Sequence, residues 1–218
     1  MTWDWNYAAE IAPALVRATT VTIEATIGGM LLAAVLGLLL AVGRMSSIRP
    51  LSVLVTTFIE FIRGTPLLIQ LFVLFYVLPR YGLAFDALLT GIIGLGVNYS
   101  AYTAEVYRAG IQSIPRGQWE AATALNISSY RTWRDVILPQ AIPPVIPPLG
   151  NYLISMFKDT PLLFTITVPE LLGVALGSAN ESFRYLEPLT IVGLIFLALS
   201  LPSVWIVSSM ERRLKVVQ

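Results

Sequence analysis

The chain has 218 residues, of which 56% are hydrophobic and only 12% charged, with a net charge of +1. That balance is too apolar for a water-soluble domain of this size, and without a basic cluster interleaved with aromatics it gives no reason to expect a nucleic-acid partner. Neither cysteine nor histidine occurs, so thiol chemistry, disulfides and the usual zinc and haem ligands are excluded and no metal site is expected.

In chain order, the apolar runs predict an all-α integral membrane protein embedded in the lipid bilayer. A single transmembrane domain covers residues 1–218, with about five spans near 19–43, 58–79, 87–107, 142–168 and 188–210. The first residues carry Asp4, Glu10, Arg17 and Glu24 and have no basic start before a short apolar core, so they read as a retained anchor rather than a cleaved signal peptide. Trp3, Trp5 and Tyr7 suit the outer membrane interface and predict a surface-lying helix there. In the first span Gly29, Ala33, Gly37 and Ala41 recur every four residues, a small-residue ridge that lets a second helix approach closely.

Pro50 is placed to open the second helical region. Its dense apolar part, Thr65 to Pro79, makes only about 22 Å of helix against a hydrocarbon core of about 30 Å, so the span must borrow from Phe58 to Gly64. The tetrapeptide TPLL occurs at Thr65–Leu68 and again at Thr160–Leu163. With threonine as N-cap and proline as first helical residue, each copy predicts a helix restart. Broken helices are tolerated at membrane depth only where protein or water surrounds them, so the breaks point to a translocation path. Pro169 to Glu187, acidic and glycine-containing, predicts a short outer helix with loops.

Polar side chains within spans are costly and mark function or helix pairing. Asn98, Tyr102 and Glu105 share one face of the third span, and Asn151, Ser155, Lys158 and Asp159 form a second stripe in the fourth. Facing each other, they would line a polar cavity in which Asp159 accepts from a solute ammonium while Asn98 and Tyr102 meet a carboxylate. The other reading is interhelical hydrogen bonding, with Lys158 neutralising Asp159. Glu105 with Arg108, and Glu60 with Arg63, read as intrahelical ion pairs. Arg44, Arg49, Arg108, Arg116, Arg131, Arg134, Arg212, Arg213 and Lys215 fall on one side of the membrane, against Arg17, Arg80 and Arg184 on the other. This excess places the C-terminus in the cytoplasm and the N-terminus outside.

Between the third and fourth spans, residues 112–139 form a cytoplasmic loop containing GQWEAATALNISSYRTWRDVILP. Its charges at mid-bilayer would cost on the order of 10 kcal/mol, so it is not a span. Gln118 to Leu125 predicts one short helix and Tyr130 to Leu138 a second, N-capped by Ser128 or Ser129 and separated from the next span by Pro139, with Asn126 turning the chain between them. Such a hairpin is either an inert connector or a docking element. Trp119, Ala121, Ala122, Leu125, Trp133 and Ile137 offer more apolar surface than a connector needs.

The stretch EAATALNISSYRTWRDVILP resembles the EAA loop of bacterial ABC importer permeases. Glu120, Ala121, Ala122, Leu138 and Pro139 match its pattern, with Asn126 at the glycine position and Val136 at the isoleucine. SIPRGQWEAA, FIEFIRGTPLLIQLFVLFYVLP and FKDTPLL are similar to the polar amino-acid uptake branch of that family. The resemblance implies a type I permease subunit of the bacterial inner membrane, paired with a second permease of the same or a homologous chain. It implies that Glu120, Ala121, Ala122, Leu125 and Asn126 couple to ABC ATPase subunits, which use ATP and Mg, and that an extracytoplasmic solute-binding protein delivers a polar amino acid or a relative such as the compatible solute ectoine. The chain lacks the phosphate-binding loop of ATPases, carries no expected cofactor of its own and is not expected to be an enzyme. An ATP-independent channel or carrier, and a membrane scaffold that moves no solute, are the rival readings from other classes.

Overall fold

The computed structural model describes residues 2–215, with side chains through Arg212. Arg213 and Lys215, counted above among the inner cations, lie outside the described side chains. Among the described residues all regular structure is helical.

Helix α1 runs unbroken over Trp5–Arg44, 40 residues or about 60 Å. Asp4 starts it, its carboxylate accepting from the backbone N–H of Asn6 at 2.9 Å and of Tyr7 at 3.3 Å. The expected surface-lying helix is therefore the first part of this long helix. Its early turns are held in place because Ile11 and Leu15 are buried against Leu171, Ala175 and Val192.

Helix α2, Arg49–Gly64, has Pro50 in its first turn, where a missing N–H costs nothing. It does not run on as a straight span. The next helical run, α3 at Leu67–Phe72 continued by a π-helical turn and a 3-10 turn to Tyr81, is bent from it by 103°. Thr65 precedes a proline and is held extended, ψ 138°. Contrary to the expected N-cap, its hydroxyl caps nothing ahead but donates back to the Phe61 carbonyl at 3.0 Å, and Pro66 stands at the N-cap position rather than inside the helix.

Helix α4, Ala87–Gln112, is capped by Asp86 and lies along α1. The ridge Gly29, Ala33, Gly37 and Ala41 is wholly buried. Gly29 sits against Leu95 and Met156, Gly37 against Ser100 and Thr103, and the Thr103 hydroxyl donates to the Ala33 carbonyl at 2.8 Å. Numbers rise together on both helices, so α1 and α4 are parallel and α2–α3 returns the chain between them.

After α4 come α5 (Arg116–Ala124), the single turn α6 (Ser129–Arg131) and α7 (Leu138–Asp159). At the second TPLL the helix tightens to 3-10 geometry over Thr160–Ile166 without stopping. Thr160 donates back to the Phe157 carbonyl at 2.7 Å instead of capping. The real turn is at Thr167, φ 66°, where the chain bends by 48° into α8, Leu171–Ser182. This is the predicted outer helix, capped by Glu170, whose carboxylate accepts from the N–H groups of Leu172 and Gly173. Helix α9, Leu186–Lys215, closes the bundle.

By length and apolarity α1 and α9 can each cross a membrane, and up to four crossings result if each bent pair counts as one. The 26-residue α4 is long enough but is not among them, because it carries the polar side chains of the site.

Candidate functional site: a docking hairpin and a polar cluster joined by one helix

Helix α5 ends in a turn set by Asn126, which adopts φ 55°. The Asn126 N–H donates to the Thr123 carbonyl and the Ile127 N–H to the Ala122 carbonyl, each at 3.0 Å. These two bonds are the Schellman closure of a helix end, a position that favours glycine and tolerates asparagine. Ser128 occupies the predicted N-cap position of the second arm, but its side chain makes no capping bond.

Pro139 does not separate that arm from the membrane helix. The chain is helical from Ser129 to Asp159, passing through a π-helical stretch at Thr132–Ile137. Proline offers no N–H to the carbonyl four residues back and crowds it; widening the preceding turn, with the Leu138 N–H donating to the Trp133 carbonyl, accommodates this without a break. The hairpin's second arm and α7 are one continuous helix of about 46 Å, with Pro143, Pro144, Pro147 and Pro148 inside it.

The apolar surface of the hairpin divides. Ala122 and Ile137 turn inward, Ile137 with Ile114 and Ala141, and Trp119 packs edge-to-face on Trp133 at 5.1 Å. Glu120, Ala121, Leu125 and Asn126 remain exposed, Leu125 at 73%. Four of the five expected coupling residues thus face outward, and Ala122 is part of the hairpin's own core.

At the far end of this helix, Asp159 accepts a hydrogen bond from the Tyr99 hydroxyl at 2.7 Å. Lys158 is exposed and the neutralising Lys158–Asp159 pair is not formed. The predicted α7 stripe is rotated by one residue. Tyr152 and Asp159 face α4 and Met156 is buried against Gly29 of α1, while Asn151 and Ser155 lie on the exposed side. Tyr99, Tyr102 and Tyr152 form a triangle of rings with centroids 5.7–6.1 Å apart, and the Arg63 guanidinium stands 5.5 Å over the Tyr102 ring.

Asn98 is buried, and its amide donates to the Gln70 side chain at 3.2 Å. Gln70 in turn donates to the Ile62 carbonyl at 2.9 Å and the Thr65 hydroxyl at 2.7 Å, closing the elbow between α2 and α3. A cavity of about 240 Å³ opens there, against Ile62, Thr65, Gln70 and Val97. The segments after the two TPLL copies meet where the Tyr76 hydroxyl donates to the Thr165 carbonyl at 2.9 Å. Sequence reasoning missed Tyr99, Tyr152, Gln70 and Arg63. Only Gln70, a lone amide in an apolar run, carried a signal; the tyrosines resemble ordinary packing and Arg63 was absorbed by Glu60, which it does approach, at 3.8 Å.

Two charged clamps flank this site. At one end Glu105 binds Arg108 at 2.9 Å, as predicted, and also Arg44 from α1. At the other, Arg184 binds Glu187 at 2.5 Å and approaches Asp4 at 3.7 Å, and the hydrogen bond to Glu187 raises its already high pKa further.

Residues 9–216 match the model of the family described as binding-protein-dependent transport system inner membrane component. A "probable amino-acid ABC transporter permease protein" of Sinorhizobium fredii is 47% identical, covering 92% of this chain and 89% of that one. The arginine transport system permease protein of Bacillus subtilis is 31% identical over 99% of both. The crystal structure of an amino acid ABC transporter with histidines superposes with a TM-score of 0.91 at 35% identity, covering 98% of this chain and 100% of that one. Inward-facing methionine ABC transporter structures, at 17–20% identity, share the fold. The chain belongs to the binding-protein-dependent transport system inner membrane components, as an ABC importer permease subunit.

Proposed function

We propose that this permease carries a polar amino acid or an amino-acid-like solute, with a compatible solute such as ectoine as the alternative cargo, across the bacterial inner membrane. The bent pairs and α4 complete five crossings, with the N-terminus outside and the C-terminus in the cytoplasm. The exposed edge of the hairpin, Glu120, Ala121, Leu125 and Asn126, seats in a groove of an ATPase subunit that uses ATP and Mg. A second permease, of the same or a homologous chain, completes the path, and an extracytoplasmic solute-binding protein delivers the cargo. Relatives named for arginine and L-cystine transport support the substrate class. Asn98, Tyr102 and Asp159 line the solute's route in this subunit, with the exposed Asn151 and Ser155 facing the second permease.

One observation carries this reading. The hairpin's second arm and the helix ending at Asp159 are one continuous helix, so a displacement of the hairpin is carried along a single helical segment to the polar cluster. The test is Glu120→Lys in the assembled transporter, reconstituted in proteoliposomes. ATP hydrolysis should persist while solute uptake falls at least tenfold, roughly the effect of losing a charge-assisted contact of 1.5–3 kcal/mol. Wild-type uptake by this variant would end the docking role. Uptake by the chain alone, without ATP, would favour a channel or carrier.

A further inference from the structure

Among the described residues, the cation on the tyrosine triangle is the protein's own Arg63, its guanidinium 5.5 Å over the Tyr102 ring. Arg63 is held there loosely. Its carboxylate partner Glu60 is 3.8 Å away, and both side chains are substantially exposed, 38% and 58%. Tyr102 is backed by Tyr99 and Tyr152, and Tyr99 donates to Asp159. The platform therefore joins an aromatic face to a carboxylate through the neighbouring Tyr99, whose phenol orients that carboxylate.

A carboxylate alone would suit any cation. A ring face discriminates, because it attracts a weakly hydrated, planar cation that can lie flat on it, whereas a primary ammonium keeps its water or seeks several oxygen acceptors. The Tyr102 face already holds a planar, delocalised cation, and Arg63 shows the fit. We propose that this face is the seat for the transported solute's cationic group, that the group is planar and delocalised (guanidinium or amidinium), and that Arg63 is a displaceable occupant which withdraws toward Glu60 when solute arrives. The proposal rests on the reading that Tyr102 and Asp159 line the solute's route, and it names the class of solute they select.

Displacement has a measurable consequence. An occupant that must leave lowers the apparent affinity of the entering ligand by the fraction of time the seat is free. Removing the Arg63 side chain should therefore tighten binding of a planar cation, although it removes a positive charge that would otherwise attract the solute's carboxylate.

The experiment uses the full transporter in lipid nanodiscs, with binding of L-arginine and L-lysine as probes of equal charge but planar and tetrahedral cationic ends. The wild type should bind arginine about tenfold more tightly than lysine, within the range of one desolvated cation–π contact. Tyr102→Phe should keep that ratio, since the ring face remains, and Tyr102→Leu should bring it close to one. Arg63→Gln should tighten arginine about threefold, as expected if the seat is occupied roughly two-thirds of the time. An arginine-to-lysine ratio unchanged by Tyr102→Leu, or weaker arginine binding in Arg63→Gln, overturns the proposal. Should Tyr102→Leu fail to assemble, the Arg63→Gln arm decides alone. Solute-driven uptake of lysine at the same apparent affinity as arginine would sink this inference while leaving the importer reading intact; no response to any amino acid or to ectoine would sink both.

Discussion

At the scale of single residues, Asn126 shows how one dihedral angle shapes a surface. Its φ of 55° closes α5 and directs the second arm of the hairpin back toward the bundle. A residue without glycine's freedom or a short polar side chain meets a penalty of about 1–2 kcal/mol in this region. Asn126→Gly should leave thermal stability and ATP-coupled uptake at wild-type levels, while Asn126→Val should lower stability by about 1–2 kcal/mol, read by chemical denaturation in detergent. Equal behaviour of the two variants would mean the turn is held by other contacts. Asn126 was legible in the sequence because only glycine and asparagine are common at such a position. Tyr99 was not, because a phenol that donates to a carboxylate sixty positions away has no local signature.

At the scale of elements, the contact between α1 and α4 depends on side chains that are nearly absent. A methyl group at Gly37 would collide with the Thr103 hydroxyl and come within 3.0 Å of the Ser100 carbonyl, a backbone atom that cannot move aside. Gly193 on α9 meets nothing within 4 Å. Gly37→Ala should therefore destabilise the bundle by about 1–3 kcal/mol through overpacking. Gly193→Ala should be neutral or stabilising by up to about 1 kcal/mol, from helix propensity alone. The comparison of the two melting curves isolates packing from propensity. The small-residue repeat predicted this seam because its spacing matches the helical period. The TPLL pair predicted breaks in the right neighbourhoods and the wrong local chemistry: both threonines bond backward, and the second copy tightens a helix whose turn comes seven residues after Thr160, at Thr167.

For the whole molecule, two clamps hold opposite ends of the bundle. Arg44 and Arg108 share Glu105 at the end near the hairpin. At the far end Arg184 ties the start of α9 to the start of α1 through Glu187 and Asp4, whose backbone N–H also donates to Glu187 at 2.9 Å. Arg184→Ala should speed hydrogen exchange in the first two turns of α1 without changing exchange in α5, since Ile11 and Leu15 continue to hold the helix below the clamp. Faster exchange throughout the bundle would instead make the clamp part of global stability. Between these ends, the helix from Ser129 to Asp159 joins the hairpin's second arm to the polar cluster, while α4, which carries Tyr99 and Tyr102, reaches the first arm through Ser113–Pro115.

The sequence by itself determined that the chain is a helical membrane protein, that a polar hairpin interrupts its apolar helices between residues 112 and 139, and which family it resembles. Each of these follows from composition, from a period of about 3.6 residues, or from the steric rules of proline, glycine and asparagine, all of which act over a few neighbours. Only the tertiary structure decided that Pro139 leaves the helix intact, that α7 presents Tyr152 and Asp159 rather than Asn151 and Ser155 to α4, and that Arg63 rests on Tyr102. A helix's rotation about its axis is fixed by how its neighbours pack, and that is settled between elements distant in the chain.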